Sequence, residues 1–385
     1  MAIVATAVAL AGCGGGSKSS SSSTGGGSGS SSSASSGSSS AGVEHAKQLI
    51  AEATKLPQFT PPGPAFAASK AKGKTILSIP VSSEIAFESS SEEAAHAAAA
   101  KLGINWITCQ NQGQPSQWVS CMNRAVSQKV NLIDLFGGTD PAELTPQLEA
   151  AKKAGIPVVA THFYPTGYKP PAGVTATVPS DFGRAAELDA AWAISQTGSK
   201  GSILVIRSSN LGAPEAAGVA ALEEEFAKDC PECNVKIVDI ASTNWASQIE
   251  PAVQSALTQN PEISYIIPLY DSMTTYVEPA LKAAGDTGKV GIATFNGTPA
   301  FMKILQEGGA VKMEVGESLQ WIVYGMLDQE MRVMLGMEPL STENLPLRVF
   351  DSSNINEAGT PPTLEGGYGN AYQSGYAKLW EQAGG

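Results

Sequence analysis

Apolar residues along this chain follow two rhythms that alternate regularly. Short unbroken runs at 75–81, 104–109, 132–136, 156–161, 201–207, 235–240, 263–269 and 290–295 are rich in Ile, Val, Leu and Phe. Runs of this kind suit parallel strands covered on both faces. Between them, apolar residues recur at helical spacing over 89–102, 115–128, 141–154, 185–197, 212–228, 245–260, 272–284 and 302–307. Gly103 follows the first of these stretches as a helix stop, and Ser180 or Asp181 can cap the helix over 185–197. A helix over 43–56 precedes the pattern. Extended runs at 174–179 and 311–315, a long helix over 319–335, a last strand at 346–350 and an aromatic-rich helix within 368–380 complete it. Alternating strands and helices joined by short loops predict an α/β fold. Two rounds of the pattern predict two similar doubly wound parallel-sheet lobes.

One junction organises the rest. The strand at 156–161 ends in His162 and Phe163, followed by a Pro/Gly-rich loop and the extended run at 174–179. Open α/β sheets place ligands beyond the carboxyl ends of their strands. A strand with a polar and an aromatic residue at its end, then an extended crossing, predicts a passage between lobes around a cleft.

Composition narrows the function classes. The chain has 385 residues, enough for two domains, with 24 basic and 36 acidic side chains and a net charge of −12. No Lys/Arg-rich run is present, so no nucleic-acid partner is expected. Residues 2–12 form an apolar run ending Leu10-Ala11-Gly12-Cys13, which resembles the lipobox of bacterial lipoproteins. The run is too short to span a bilayer core of about 30 Å and fits a signal-peptide core. It carries no Lys or Arg, so the usual charged start of a signal peptide is missing. On this reading Cys13 is lipidated and holds the protein at the extracytoplasmic face of the cell membrane. Residues 14–42 are almost all Ser, Gly and Ala and cannot bury a core. As a flexible coil they span about 30 Å, which suits a tether.

The runs GKTILSIPVSSEIAF, AGIPVVATHF, ISYIIPLYDSMTTYVEPALKAAG and VGIATFNGTPAFMKILQEGGAVKMEVGESLQWIVYGM follow one another in order. Together they resemble the type I periplasmic binding proteins, in particular the ribose-binding-like sugar-binding subunits of ABC importers. The resemblance covers about residues 73–350. It implies two lobes joined by a multi-segment hinge: 73–178 with 317–343 in the first, and 179–316 with 344–355 in the second. Residues 1–13 are then the signal peptide and lipidated Cys, 14–72 the tether with a short helix, and 356–385 a C-terminal tail. The implied protein is a monomer that captures a sugar or polyol and delivers it to an ABC permease, without a cofactor or metal.

The resemblance also implies a ligand set. Phe87 matches a family aromatic that stacks on the ligand, with a plain core ring as the alternative; the polar run before it, including Glu84, favours the pocket. Gly137 follows the strand at 132–136. His162 and Phe163 stand where sugar binders carry an Asp and an Arg that hold adjacent hydroxyls. Glu215 takes the place of another Arg. Trp245 matches a stacking aromatic, or is a core residue at the helix start. Tyr270 stands where an Asn is common, with Asp271 after it as a helix cap. Asn296 replaces an Asp, and gains a donor by doing so. Glu317 lies where a Gln hydrogen-bonds ligand at a crossing, or is a hinge carboxylate. These departures keep the stacking surfaces and weaken the fixed charges, so aromatic or cationic solutes are alternatives to a sugar. Replacing His162 or Trp245 with Ala is expected to abolish the ligand response and leave apo stability nearly unchanged.

Besides Cys13 there are four cysteines, an even number in a chain expected to be exported. Cys230 and Cys233 read as a local disulfide. Cys109 and Cys121 can pair or remain buried thiols. Asp134, inside an apolar strand, requires a polar partner that the sequence does not identify. No nucleophile elbow, P-loop or HExxH motif is present, so an enzyme is not expected. A subunit that presents its closed form to a membrane sensor kinase is a second possibility from a different class.

Overall fold

The computed structural model describes residues 33–381. Cys13 and the lipobox lie outside them. The first sheet is built from β1 (Thr75–Pro80), β2 (Asn105–Thr108), β3 (Leu132–Phe136), β4 (Val158–Thr161) and β5 (Ala176–Val178), in the order β2-β1-β3-β4-β5 and parallel throughout. The second holds β6 (Ser202–Arg207), β7 (Asn234–Asp239), β8 (Ile263–Pro268), β9 (Gly291–Asn296), β10 (Val311–Glu317) and β11 (Leu347–Asp351). Its order is β11-β10-β9-β8-β6-β7, and only β11 runs antiparallel to its neighbour.

The helices are α1 (Ser33–Ala53), α2 (Ala86–Leu102), α3 (Pro115–Gln128), α4 (Thr145–Lys153), α5 (Phe182–Thr197), α6 (Ala213–Asp229), α7 (Trp245–Gln259), α8 (Thr274–Ala284), α9 (Pro299–Gln306), α10 (Leu319–Met334) and α11 (Ala371–Trp380). The central strands are buried throughout, as at Leu132–Phe136 and Gly291–Asn296, while the edge strands β2 and β7 are partly exposed. Helices cover both faces of each sheet, which is why the strands read as apolar runs rather than alternating ones.

The crossings fix the shape of the cleft. The chain leaves the first sheet after β5 and enters α5, which packs on α6 of the second. It returns from β10 into α10, which packs on α2 and β5 of the first. Finally it rejoins the second sheet at β11. Carboxyl ends of strands from both sheets therefore face one another.

Several local outcomes differ from the sequence expectation or extend it. Helix α1 starts at Ser33, so the last part of the Ser/Gly stretch is helical rather than coil; downstream, Ala46 and Ile50 are buried in the cluster with α5. Helix α2 starts at Ala86, ahead of the expected 89, and carries Glu88 in its first turn. Asp134 on β3 has its partners: Ser78 and Thr161 donate hydroxyl hydrogen bonds of 3.0 and 2.6 Å. Even so, burial pushes its carboxyl up to about 8. The pairs Cys109–Cys121 and Cys230–Cys233 are both disulfide-bonded. Helix α11 lies against α10, with Trp321 and Tyr372 stacked at 4.6 Å and Trp380 donating to Asp328 at 2.7 Å.

Candidate ligand-binding site

The cavity between the two sheets is assembled from strand ends and helix starts. From the first-sheet side come Val81 after β1, Ile85, Phe87 and Glu88 at the start of α2, Gly137 after β3 and His162 after β4. The second-sheet side supplies Phe182, Leu211, Pro214, Trp245, Tyr270, Ser272 and Asn296. The two walls stand close together, leaving about 20 Å³ for the centre of a water-sized sphere, room for about one water molecule. No Lys or Arg is among the lining residues.

His162 is the centre of the first wall. Its ring lies 4.7 Å from that of Phe87 and 5.1 Å edge-on to Phe182. Behind it stands Glu317 at the end of β10, 1% exposed. One carboxylate oxygen of Glu317 meets His162 Nε2 at 2.5 Å and accepts from Asn296 Nδ2 at 3.2 Å. The other accepts from Ser180 Oγ at 2.9 Å. Glu317 thus fixes the direction of His162 from beyond the cavity wall, and ties side chains from both crossings to one point.

The backbone here is unusual. His162 has φ +51° and Asn296 has φ +137°, both in territory that L-residues rarely occupy. Positions of this kind cost about 1–3 kcal/mol each and collect at ligand clamps. Next to Asn296, Gly297 sits so close to β10 that a Cβ would fall 2.8 Å from the Gly316 Cα. Only glycine permits that approach.

Glu88 brings a carboxyl to this wall. It is 5% exposed, and its Oε2 has no hydrogen-bond partner. Burial holds its carboxyl well above the usual range, and the nearby Asp271 and Glu92 add to this. Gly137 makes room for it: a Cβ there would sit 2.9 Å from Glu88 Oε1. A neutral carboxyl in this position both donates and accepts.

The second wall presents faces. Trp245 and Tyr270 are stacked with centroids 6.5 Å apart. The Trp245 indole N–H is already engaged, donating to Ser208 Oγ at 2.7 Å, so its ring surface is what remains. Asp271, expected to cap the next helix, instead accepts from the Thr298 backbone N–H at 2.8 Å and from Ser272 Oγ at 3.2 Å. It locks the loop after β9 to the end of β8. Burial raises it to about 7.

Of the residues singled out from the sequence, Phe87, Gly137, His162, Trp245, Tyr270 and Asn296 line the cavity. Glu317 stands one layer behind. Glu84 is on the surface and accepts from Gln112 at 2.8 Å. Phe163 turns away from the cavity and packs edge-on with Tyr164 at 4.6 Å. Glu215 is 1% exposed and ion-paired to Arg207 at 2.6 Å, in a smaller void behind Phe182, Pro214 and Tyr270. Glu88, Ser272 and Phe182 escaped the sequence reading. No sequence signal marks Glu88: the face it extends carries Ser91 and Glu92, which do not read as buried positions.

This arrangement, two α/β sheets closing strand ends around a cavity lined by rings and hydrogen-bonding groups, is that of a solute-binding protein. Residues 76–328 match the periplasmic binding protein domain family, and the chain belongs to that family. It is 28% identical over 222 residues to the D-apiose import binding protein of Actinobacillus succinogenes, covering 56% of this chain and 67% of that one. Among solved structures it resembles an ABC transporter solute-binding protein from Agrobacterium vitis with bound allitol, at a TM-score of 0.66 and 18% identity, over 75% of this chain and 99% of the other. A periplasmic solute-binding protein from Actinobacillus succinogenes with bound D-allose matches at 0.65 and 19% identity, over 74% and 99%.

Proposed function

We propose that this chain captures a neutral sugar or polyol between its lobes, outside the cytoplasm, and hands it to an ABC permease without chemically changing it. The observation that carries the reading is the lining itself. Phe87, Phe182, Trp245 and Tyr270 offer ring faces, while Glu88, His162, Ser272 and Asn296 offer donors and acceptors, with no Lys or Arg among them. Ring faces pack the C–H surface of a sugar, and the polar groups fix its hydroxyls. The anionic solutes that an Arg clamp would hold are disfavoured. The sugar ligands of the similar proteins point the same way. The hinge reading assigns 73–178 with 317–343 to one lobe and 179–316 with 344–355 to the other. Ligand bridging both lobes then shifts an open–closed equilibrium by its greater affinity for the closed form. Lipidation at Cys13, the membrane attachment it provides and a monomeric state belong to the same proposal.

The test is calorimetric titration of the chain with D-apiose, allitol, D-allose, uncharged aromatic solutes and a cationic amine. Saturable one-to-one binding of a neutral polyhydroxy compound is expected. Tightest binding of the amine, or turnover of a bound sugar, contradicts the proposal.

A further inference from the structure

A second cluster lies at the end of α6 away from the cavity, where α1 meets the second sheet's helices. We propose that His45, Glu225 and Asp229 form a binding site for a divalent transition-metal cation of the zinc type, which pins α1 to α6. The family match begins at residue 76, so the site joins a segment outside the matched region to the lobe inside it.

The geometry supports three ligands from two elements. His45 Nδ1 lies 2.5 Å from Asp229 Oδ2 and 4.0 Å from Glu225 Oε1. All three ligand atoms fall within 4.8 Å of one another. In a tetrahedral zinc site with bonds of about 2.0–2.1 Å, neighbouring ligand atoms stand about 3.3 Å apart. The two observed separations bracket that value, so one opens and the other closes by about 0.7–0.8 Å. One imidazole with two carboxylates is a donor set for zinc and its neighbours rather than for calcium.

The independent observation is Glu225. Its side chain is 2% exposed, and its Oε1, directed at His45 and crowded by the Asp229 carboxyl, has no hydrogen bond of good geometry. Native proteins rarely leave such an atom unmatched. Close packing of the two helices is built in at Gly42, where a Cβ would fall 2.2 Å from the Asp229 carbonyl oxygen. His45 is 37% exposed, which leaves one side open for a water ligand. Lys228 is the competitor. Its ammonium lies 3.6 Å from Glu225 Oε2 and 3.4 Å from His45 Nδ1. It is 52% exposed on a flexible stem and can swing out as the cation enters.

The experiment is calorimetric titration of the metal-stripped full chain with Zn²⁺, alongside His45→Gln, Glu225→Gln and Lys228→Ala. His45→Gln retains a hydrogen-bond donor for Asp229 and so guards against simple unfolding. One saturable equivalent is expected, with zinc raising the melting temperature. Loss of an outer partner alone costs about 10–100-fold in affinity. The His45 and Glu225 variants should lose at least that much while melting like wild type without zinc, and Lys228→Ala should bind tighter. Absorption at the zinc edge should show one imidazole among oxygen ligands. Wild-type affinity in both ligand variants, or no saturable binding by the unaltered chain, overturns the proposal. Neither result bears on sugar binding in the cleft.

Discussion

The two walls of the cavity solve different problems. The wall from the first sheet carries titratable groups: Glu88 with an unpartnered oxygen, and His162 held from behind by Glu317. The second-sheet wall presents rings and neutral polar groups, with the Trp245 N–H donating to Ser208 and the carboxylate behind it, Asp271, satisfied by Thr298 and Ser272. One wall is poised to choose hydrogen-bonding partners, and the other offers flat apolar surface that tolerates many of them. Sequence alone suggested weakened charge at this site. The structure refines that picture: Glu88 is the carboxyl in the lining, while Glu317 and Asp271 stand behind it.

Changes to the two walls should therefore have distinct signatures, and the largest falls on the apolar one. Trp245 is 5% exposed, so Trp245→Ala should cost about 3–5 kcal/mol of stability by urea unfolding, and abolish sugar binding as well. His162→Ala strips a partner from the buried Glu317, and should cost about 1–3 kcal/mol besides weakening ligand. Both outcomes depart from the expectation of stable, binding-dead variants, because both side chains turn out to be structural as well as lining. Glu88 separates the roles cleanly. Glu88→Ala should weaken sugar binding about ten-fold, the worth of one hydrogen bond, whereas Glu88→Gln should stay near wild type. A large loss in Glu88→Gln would show that the carboxyl acts as an anion.

A separate effect is on pH dependence. Burial raises Asp134 to about 8 and Asp271 to about 7 in the folded chain, against about 3.9 when unfolded. The folded state keeps protons that the unfolded state has lost. Stability is therefore full below about pH 4 and declines as pH rises through 7 to 8. Urea midpoints at pH 5 and 8.5 should show the higher value at pH 5, and Asp134→Asn should flatten the difference.

How far the sequence reaches depends on what each residue's position requires. Strand ends are legible, because an apolar run that stops at His162 or Asn296 marks a sheet edge facing a cleft. The α/β class, the two rounds of strand and helix and the helix stop at Gly103 follow from local pattern alone. Side-chain direction beyond the strand end is not local. Phe163 turns away because the left-handed backbone at His162 redirects the chain. Glu84 and Glu88 differ only by where α2 begins, and no side-chain cap marks that start: Ile85 holds the cap position. Glu215 and Glu317 are set by partners remote in sequence or in the neighbouring strand, Arg207 in one case and His162 in the other.

The central claim is that opposed strand ends close on a neutral polyhydroxy solute. Small-angle scattering of the chain, with and without the tightest-binding sugar from the calorimetric panel, tests it most directly. A smaller radius of gyration is expected with the sugar, and no such change in Trp245→Ala. An unchanged profile at saturating sugar, with binding confirmed in the same sample, would contradict it.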